Sequence, residues 1–269
     1  MATVPMQNIN EHYHLLDLVH IRNFRLPIIF VLGGPGAGKA SLCYQFRSHY
    51  GISYLSIGTL LRQEANEPTV RGRAIAAYIN EMPAKKVPTD LVLQVLKDNL
   101  VKVVAANRPV FIQGYPRDFE QAAKYEDEVA PIRHVLFLNT SEETSKRRLL
   151  QRNKLAARFE DSSQIIHQRR ETFRREVLPV IDNLRITHRV KEINGNNALE
   201  VVYNDARMIF GFWTHRGKIQ YLPKGAREET DPRLKFGSQE KRILTKAEAD
   251  IEKHFPSVHY HGPIYDGHY

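Results

Sequence analysis

Lys39 closes a glycine-rich run, GGPGAGKAS over residues 33–41. Glycines let successive backbone N–H groups curl toward one point. A helix opening directly afterwards aims its positive end at the same spot. An ammonium on a long stem adds a mobile charge. The chemistry such a segment offers is the holding of phosphate oxygens. Gly33-x4-Gly38-Lys39 fits the phosphate-loop pattern through its lysine, with Ala40 in place of the usual hydroxyl residue and Ser41 supplying one a position later. Arginines follow at intervals: Arg62 in YLSIGTLLR, Arg117 in FIQGYPRDFEQ, and Arg152, Arg158 and Arg169 in a basic stretch. Their planar guanidinium forks match phosphate and carboxylate groups.

Those residues need elements to hold them. Short apolar runs alternate with longer segments of helical period. Residues 27–32 (PIIFVL), 52–56, 109–113 (PVFIQ), 134–139 and 188–194 read as strands. Residues 39–50, 59–66, 69–80, 88–105, 118–129, 141–152, 162–184 and 198–212 read as helices. The segment 88–105 is marked by Pro88, Thr89 and Asp90 at its start and apolar residues at helical spacing. Such alternation implies a parallel sheet of five strands with helices on both faces, in three layers. Ligands of such folds bind beyond the carboxyl ends of the strands. The glycine run follows the first strand and opens the first helix, the context a phosphate loop needs.

The bulk properties set bounds. With 269 residues and 42% hydrophobic content, the chain can fill a core. No apolar run approaches a membrane span, and residues 1–10 lack the pattern of a secretory signal. The single cysteine, Cys43, fits a reducing, cytoplasmic setting. The net charge of +9 suits nucleic acid, small polyphosphates or simply a basic surface. Residues 1–26 form a polar leader with an apolar patch at Leu15, Leu16, Leu18 and Val19, expected to form a short helix capping the core. Residues 213–269 are charged, rich in Pro and Gly, and poor in apolar periodicity, and read as an extension.

From about residue 27 to residue 210 the chain resembles the adenylate kinase family of nucleoside monophosphate kinases, in its compact, short-lid form. The motifs that carry the resemblance are GGPGAGK, YLSIGTLLR, FIQGYPRDFEQ and the arginines of RRLLQRNKLAARFED with Arg169 after them. The resemblance implies a kinase domain over 27–212, with a monophosphate-binding part at about 57–88 and a lid at about 152–162. It implies ATP on Gly36, Ala37, Gly38, Lys39, Ala40, Ser41, Arg152 and Asn197. It implies AMP, or another nucleoside monophosphate, on Ile57, Arg62, Lys85, Lys86, Val87, Gly114, Tyr115, Pro116, Arg117, Gln121, Arg158 and Arg169. Lys39, Arg117, Arg152, Arg158 and Arg169 are the expected catalytic cations. Charge spreads over the transferring phosphoryl group, and fixed cations there are worth several kcal/mol each by order of magnitude. Magnesium is expected with ATP, with no metal ligand in the protein itself. Gln121 favours AMP, since pyrimidine-nucleotide relatives usually carry Asn nearby.

One departure stands out. Gln113 occupies the strand-end position where the family has an Asp that holds waters of the magnesium ion. Loss of such an outer partner typically costs about 10–100-fold. Two expectations therefore stand: a kinase converting ATP and AMP to two ADP, or a slow or inactive nucleotide-binding scaffold docked on a larger assembly through its extensions. Nucleic-acid binding is the weaker third reading, because the tail is mixed in charge and holds no recognised module. Residues 213–269 are the candidate segment for a protein partner.

Overall fold

The computed structural model describes residues 21–22, 27–81, 86–156 and 163–214, without the side chains of 81, 152–156, 163–165, 212 and 214. Its framework is five parallel strands: β1 (Ile28–Gly33), β2 (Ser53–Ser56), β3 (Val110–Gln113), β4 (His134–Asn139) and β5 (Val190–Asn194). Their order across the sheet is β2-β3-β1-β4-β5, so the strand feeding the glycine loop lies in the middle. Every pair is parallel, and all five carboxyl ends therefore meet along one edge.

Burial of both sheet faces explains the near-continuous apolar strands. Alternate residues of β1 enter opposite clusters. Phe30 and Leu32 join Leu55, Ile112, Val135 and Phe137 on one face, and Ile29 and Val31 join Phe111, Leu136, Leu138 and Ile193 on the other. Two helices cover the second face: α1 (Lys39–Tyr50) and α9 (Leu199–Thr214). Helix α1 buries Leu42, Cys43, Gln45 and Phe46, a stripe at i, i+1, i+3 and i+4. Gly51, at φ 60°, stops it by turning its N–H back to the Arg47 carbonyl at 2.9 Å. Phe46 is wholly buried among Phe111, Tyr203 and Phe210.

The first face is covered by α2 (Ile57–Ala65), α3 (Val70–Ala76), α4 (Thr89–Val104), α5 (Phe119–Glu128) and α8 (Leu178–Ile186). The two remaining helices, α6 (Glu142–Ala156) and α7 (Ser163–Thr172), flank the expected lid. A π-helical turn, Phe173–Val177, joins α7 to α8 without a break, so the helix expected over 162–184 runs from 163 to 186. A second π-helical turn, Ala77–Glu81, extends α3. Helix α6 carries its backbone to Ala156, past the expected end at 152, because Lys154, Leu155 and Ala156 are good helix formers. The expected lid loop from 152 is helical as far as 156, and residues 157–162 lie outside the described residues. From the leader, Ile21 is 2% exposed in the first cluster, and Arg22 donates to the carbonyls of Val129 and Asp127. The apolar patch at 15–19 and the extension from 215 lie outside the described residues.

Candidate functional site: a phosphate loop facing an arginine pair

The loop between β1 and α1 folds on its glycines. Gly36 and Gly38 have φ of 76° and 89°, which L side chains rarely adopt. At Gly36 space is also short, since a Cβ there would lie 2.7 Å from the Ser145 carbonyl oxygen. Ala37 is buried beneath the loop and Ala40 is exposed. Lys39 folds back over the turn and donates to the carbonyls of Gly33 and Gly34, both at 2.7 Å. Ser41 stands partly buried in the first turn of α1. The helix has no side-chain cap, so its first N–H groups point into the loop.

Beside this loop, at the ends of β2 and β3, two guanidinium groups converge. A Cβ built on Gly58 would stand 3.6 Å from Nη1 of Arg62 and 3.9 Å from Nη2 of Arg117. Gly114, at φ 76°, lies against the same Arg117 nitrogen. Arg117 also donates from Nε to the Gly114 carbonyl at 3.2 Å. Its guanidinium is exposed to the cleft, yet its ordinary pKa is lowered, first by desolvation and then by the charges of Arg169 and Arg62. The three cations repel one another, and an anion among them would relieve that repulsion.

The segment that carries Arg117 is tightly held. The Tyr115–Pro116 peptide is cis. Tyr115 is fully buried, with its hydroxyl donating to the Gln121 carbonyl at 2.7 Å. Asp118 caps α5 by accepting from the Gln121 N–H at 2.9 Å. The Gln121 side chain is 4% exposed, and its Oε1 accepts from the Arg117 N–H at 3.0 Å. That bond leaves the amide NH2 as the face Gln121 offers to a neighbour.

Other expected residues sit differently. Ile57 turns its side chain into the apolar cluster at 2% exposure, so this position offers the cleft backbone rather than side chain. Val87 is partly buried against the same cluster. Lys86 pairs with Glu176 at 2.5 Å and with Asp118 at 3.4 Å, bridging the start of α4 to the π-helical turn after α7. Lys85 and Arg158 lie outside the described residues, and Arg152 is placed by its backbone alone, on α6. Arg169 is exposed on α7. The helix bearing it touches the phosphate loop through Phe173, whose ring carbons lie 3.7 and 3.8 Å from a Cβ built on Gly34. Phe173 stacks in turn on Phe137, at 6.5 Å between ring centroids.

Two further arginines, Arg148 and Arg170, are held by the protein itself rather than solvated. Arg148 donates to the carbonyls of Gly195 at 2.7 Å and Asn197 at 2.9 Å. Its Nη1 lies 4.0 Å from a Cβ built on Gly38, so it walls the phosphate loop against the loop that holds Asn197. Desolvation, then Arg147, lowers its ordinary pKa. The signal was periodicity: Arg148 falls one turn after the buried Thr144 and one turn before Arg152. Arg170, 13% exposed in its side chain, pairs with Glu142, as does Arg174. Together they tie α7 and the π-helical turn after it to the first turn of α6.

The residues present do not fit a magnesium ion held by the protein itself. Among the described residues no group of three His, Cys, Asp or Glu is placed to ligate one. At the strand end beside the loop the side chain is Gln113, a neutral amide whose Oε1 accepts a hydrogen bond from the Tyr54 hydroxyl. Strand register sets Gln113 beside Val31 of β1 and Ser56 of β2.

A parallel sheet with a glycine-rich loop on its central strand, facing an arginine pair at the neighbouring strand ends, is the arrangement of a P-loop nucleotide-binding protein. The family model described as adenylate kinase matches residues 31–188. Adenylate kinase isoenzyme 1 of Caenorhabditis elegans is 32% identical over 202 residues, covering 75% of this chain and 92% of that protein. Adenylate kinase 1 of Schistosoma mansoni is 33% identical over 177 residues, covering 66% of this chain and 89% of that protein. UMP-CMP kinase 3 of rice, Oryza sativa subsp. japonica, is 35% identical over 188 residues, covering 69% and 86%. The chain belongs to the adenylate kinase family.

Proposed function

We propose that this chain transfers the γ-phosphoryl group of ATP to a nucleoside monophosphate, with AMP the foremost acceptor. The observation that carries the reading is the pair Arg62 and Arg117, closing on Gly58 beside a phosphate loop. One site suits a polyphosphate donor, and the other suits a single phosphate 

acceptor. The loop amides and Lys39 orient the donor's terminal phosphates. Arg62 and Arg117 present the acceptor phosphate oxygen in line with the γ-phosphorus. As the new P–O bond forms, the bond to the β,γ-bridging oxygen breaks and ADP leaves. Arg169, with Arg152 and Arg158, is assigned to the charge on the transferring group. Closure of the lid excludes water that would otherwise accept the phosphoryl group. Magnesium travels on the nucleotide's own phosphates.

AMP is preferred on the strength of Gln121, whose NH2 donates to a ring nitrogen of the base. UMP and CMP are the competing acceptors, since a UMP-CMP kinase stands among the relatives. A reducing compartment such as the cytoplasm suits the buried Cys43. The neutral Tyr54–Gln113 pair favours a second reading, nucleotide binding with slow transfer or none.

A coupled assay with ATP, magnesium and AMP, then CMP and UMP, tests the proposal beside Lys39→Ala. ADP should form fastest with AMP, and the substitution should lower kcat by about 10²–10³-fold. Nucleotide binding without transfer to any monophosphate would leave the second reading standing.

A further inference from the structure

Helix α2 carries Arg62 on a rod of only nine residues. Its inner stripe is Ile57, Leu60, Leu61 and Glu64, at i, i+3, i+4 and i+7. The first three are buried in the apolar cluster, and the fourth is a carboxylate. A charge at the margin of a core needs a partner. Arg62 lies on another face of the same helix, exposed.

Arg71, in the first turn of α3, is that partner. Its Nε lies 2.7 Å from Oε1 of Glu64, and its Nη1 lies 2.8 Å from Oδ2 of Asp98, midway along α4. The side chains of Arg71, Glu64 and Asp98 are 19%, 16% and 22% exposed. Burial opposes the Arg71 charge, and the hydrogen bond to Glu64 and the charge of Asp98 outweigh it, raising the guanidinium above its ordinary pKa. The corner between α2 and α3 is stiff as well. Thr69 caps α3 by accepting from the Gly72 N–H at 2.9 Å. A Cβ built on Gly72 would lie 2.5 Å from the Glu64 carbonyl oxygen and nearer still to that of Glu67, so α3 presses on the end of α2.

A guanidinium fork can hold two carboxylates at once from separate nitrogens. The bond to Glu64 fixes the roll of α2 about its axis, and the bond to Asp98 fixes α2 and α3 together against α4. We infer that Arg71 is a positioning residue for the acceptor site: by tying Glu64 to Asp98 it sets where the Arg62 guanidinium stands, and so how tightly a nucleoside monophosphate is held. The inference rests on the proposed reading of Arg62 as a ligand of the acceptor phosphate.

The test is calorimetric titration of the full chain with whichever of AMP, CMP and UMP binds tightest, and separately with ATP. Asp98→Asn keeps the shape of the side chain and leaves Arg71 on Glu64, while the charge that ties them to α4 is gone. It should raise the monophosphate Kd by about 2–30-fold, the usual scale for a residue that acts through others, with the ATP Kd unchanged. Arg71→Lys should also weaken the monophosphate, since one ammonium replaces a fork that spans two carboxylates. In an Arg62→Ala background, titrated at raised nucleotide concentration, Asp98→Asn should have no further effect, because the tie acts through Arg62. An unchanged monophosphate Kd overturns the inference. So does equal weakening of both nucleotides, or a loss that persists without Arg62, either of which makes the triad a prop for the fold. Each of those results leaves the kinase reading standing. An unaltered chain that binds none of the monophosphates sinks that reading, and this inference with it.

Discussion

Arg117 has its backbone fixed before any ligand arrives. Its N–H is bound by Gln121, its Nε by the Gly114 carbonyl, and the next residue caps a helix. Only the far end of the guanidinium faces the cleft, so little side-chain entropy remains to be lost when a phosphate binds. Hydrogen bonds between charged groups are worth about 1.5–3 kcal/mol. Arg117→Ala should therefore raise the KM for the monophosphate roughly ten- to a hundredfold, with the KM for ATP little changed, as steady-state kinetics with each substrate varied will show. This arginine was legible in the sequence because GYPRD sits at the end of an apolar run. Arg148 was legible only through its period, one turn after the buried Thr144, because an arginine beside an arginine otherwise looks the same whichever way its helix turns it. The Tyr54–Gln113 contact was beyond reach for another reason: it joins residues 59 apart, across a strand pairing that local pattern does not encode.

At the scale of elements, Phe173 is a contact between the helix bearing Arg169 and the phosphate loop. It lies one turn beyond Arg169, at the point where the helix changes to π-helical pitch, and its ring rests on Gly34 and Phe137. A π-helical turn displaces the residues on either side of it, and such turns are frequent at functional sites. Phe173→Ala should leave both KM values nearly unchanged while kcat falls by roughly 10²-fold, the scale of an ångström's misplacement. Phe173→Leu should restore most of the rate. Loss of stability without this split between kcat and KM would reduce Phe173 to core filling. The strands and helices were legible to within a few residues, and β4 with its bounds intact, because apolar period and strand length agree there. The order β2-β3-β1-β4-β5 was not, because period says which face a residue takes and nothing about which strand lies beside it.

At the scale of the whole molecule, Lys86 ties the segment before α4 to the cap of α5 and to the π-helical turn after α7. Lys86 holds Glu176 and Asp118, and Glu176 also takes Arg175. Burial alone would raise the Glu176 carboxyl, but hydrogen bonds from Lys86 and Arg175 win and hold it below its ordinary 4.5. Burial likewise opposes the Lys86 charge, and Glu176 and Asp118 outweigh it, raising the ammonium above its ordinary 10.5. A depressed carboxyl adds stability above its ordinary value and loses it as pH falls through the folded one. A raised ammonium adds stability below its ordinary value and loses it as pH rises through the folded one. The tie therefore holds across the window from 4.5 to 10.5. The Tm difference between the unaltered chain and Lys86→Met should be constant through neutral pH and shrink below pH 4.5. A difference that persists in acid would mean that the lysine's stem, not its charge, makes the contact.

The packing of α1 against the sheet has a practical consequence. Cys43 is the chain's single cysteine, wholly buried, and burial pushes its thiol well above the ordinary value despite the pull of Lys39. A thiol reagent meets no thiolate in the native molecule and must wait for the sheet's second face to open. The rate at which Cys43 is labelled is then a clock on that opening. It should slow when ATP is added and binds only the folded form, by the factor that ligand concentration over Kd dictates. One mass-spectrometric time course, on the chain as nature wrote it, would thus read stability and nucleotide affinity together.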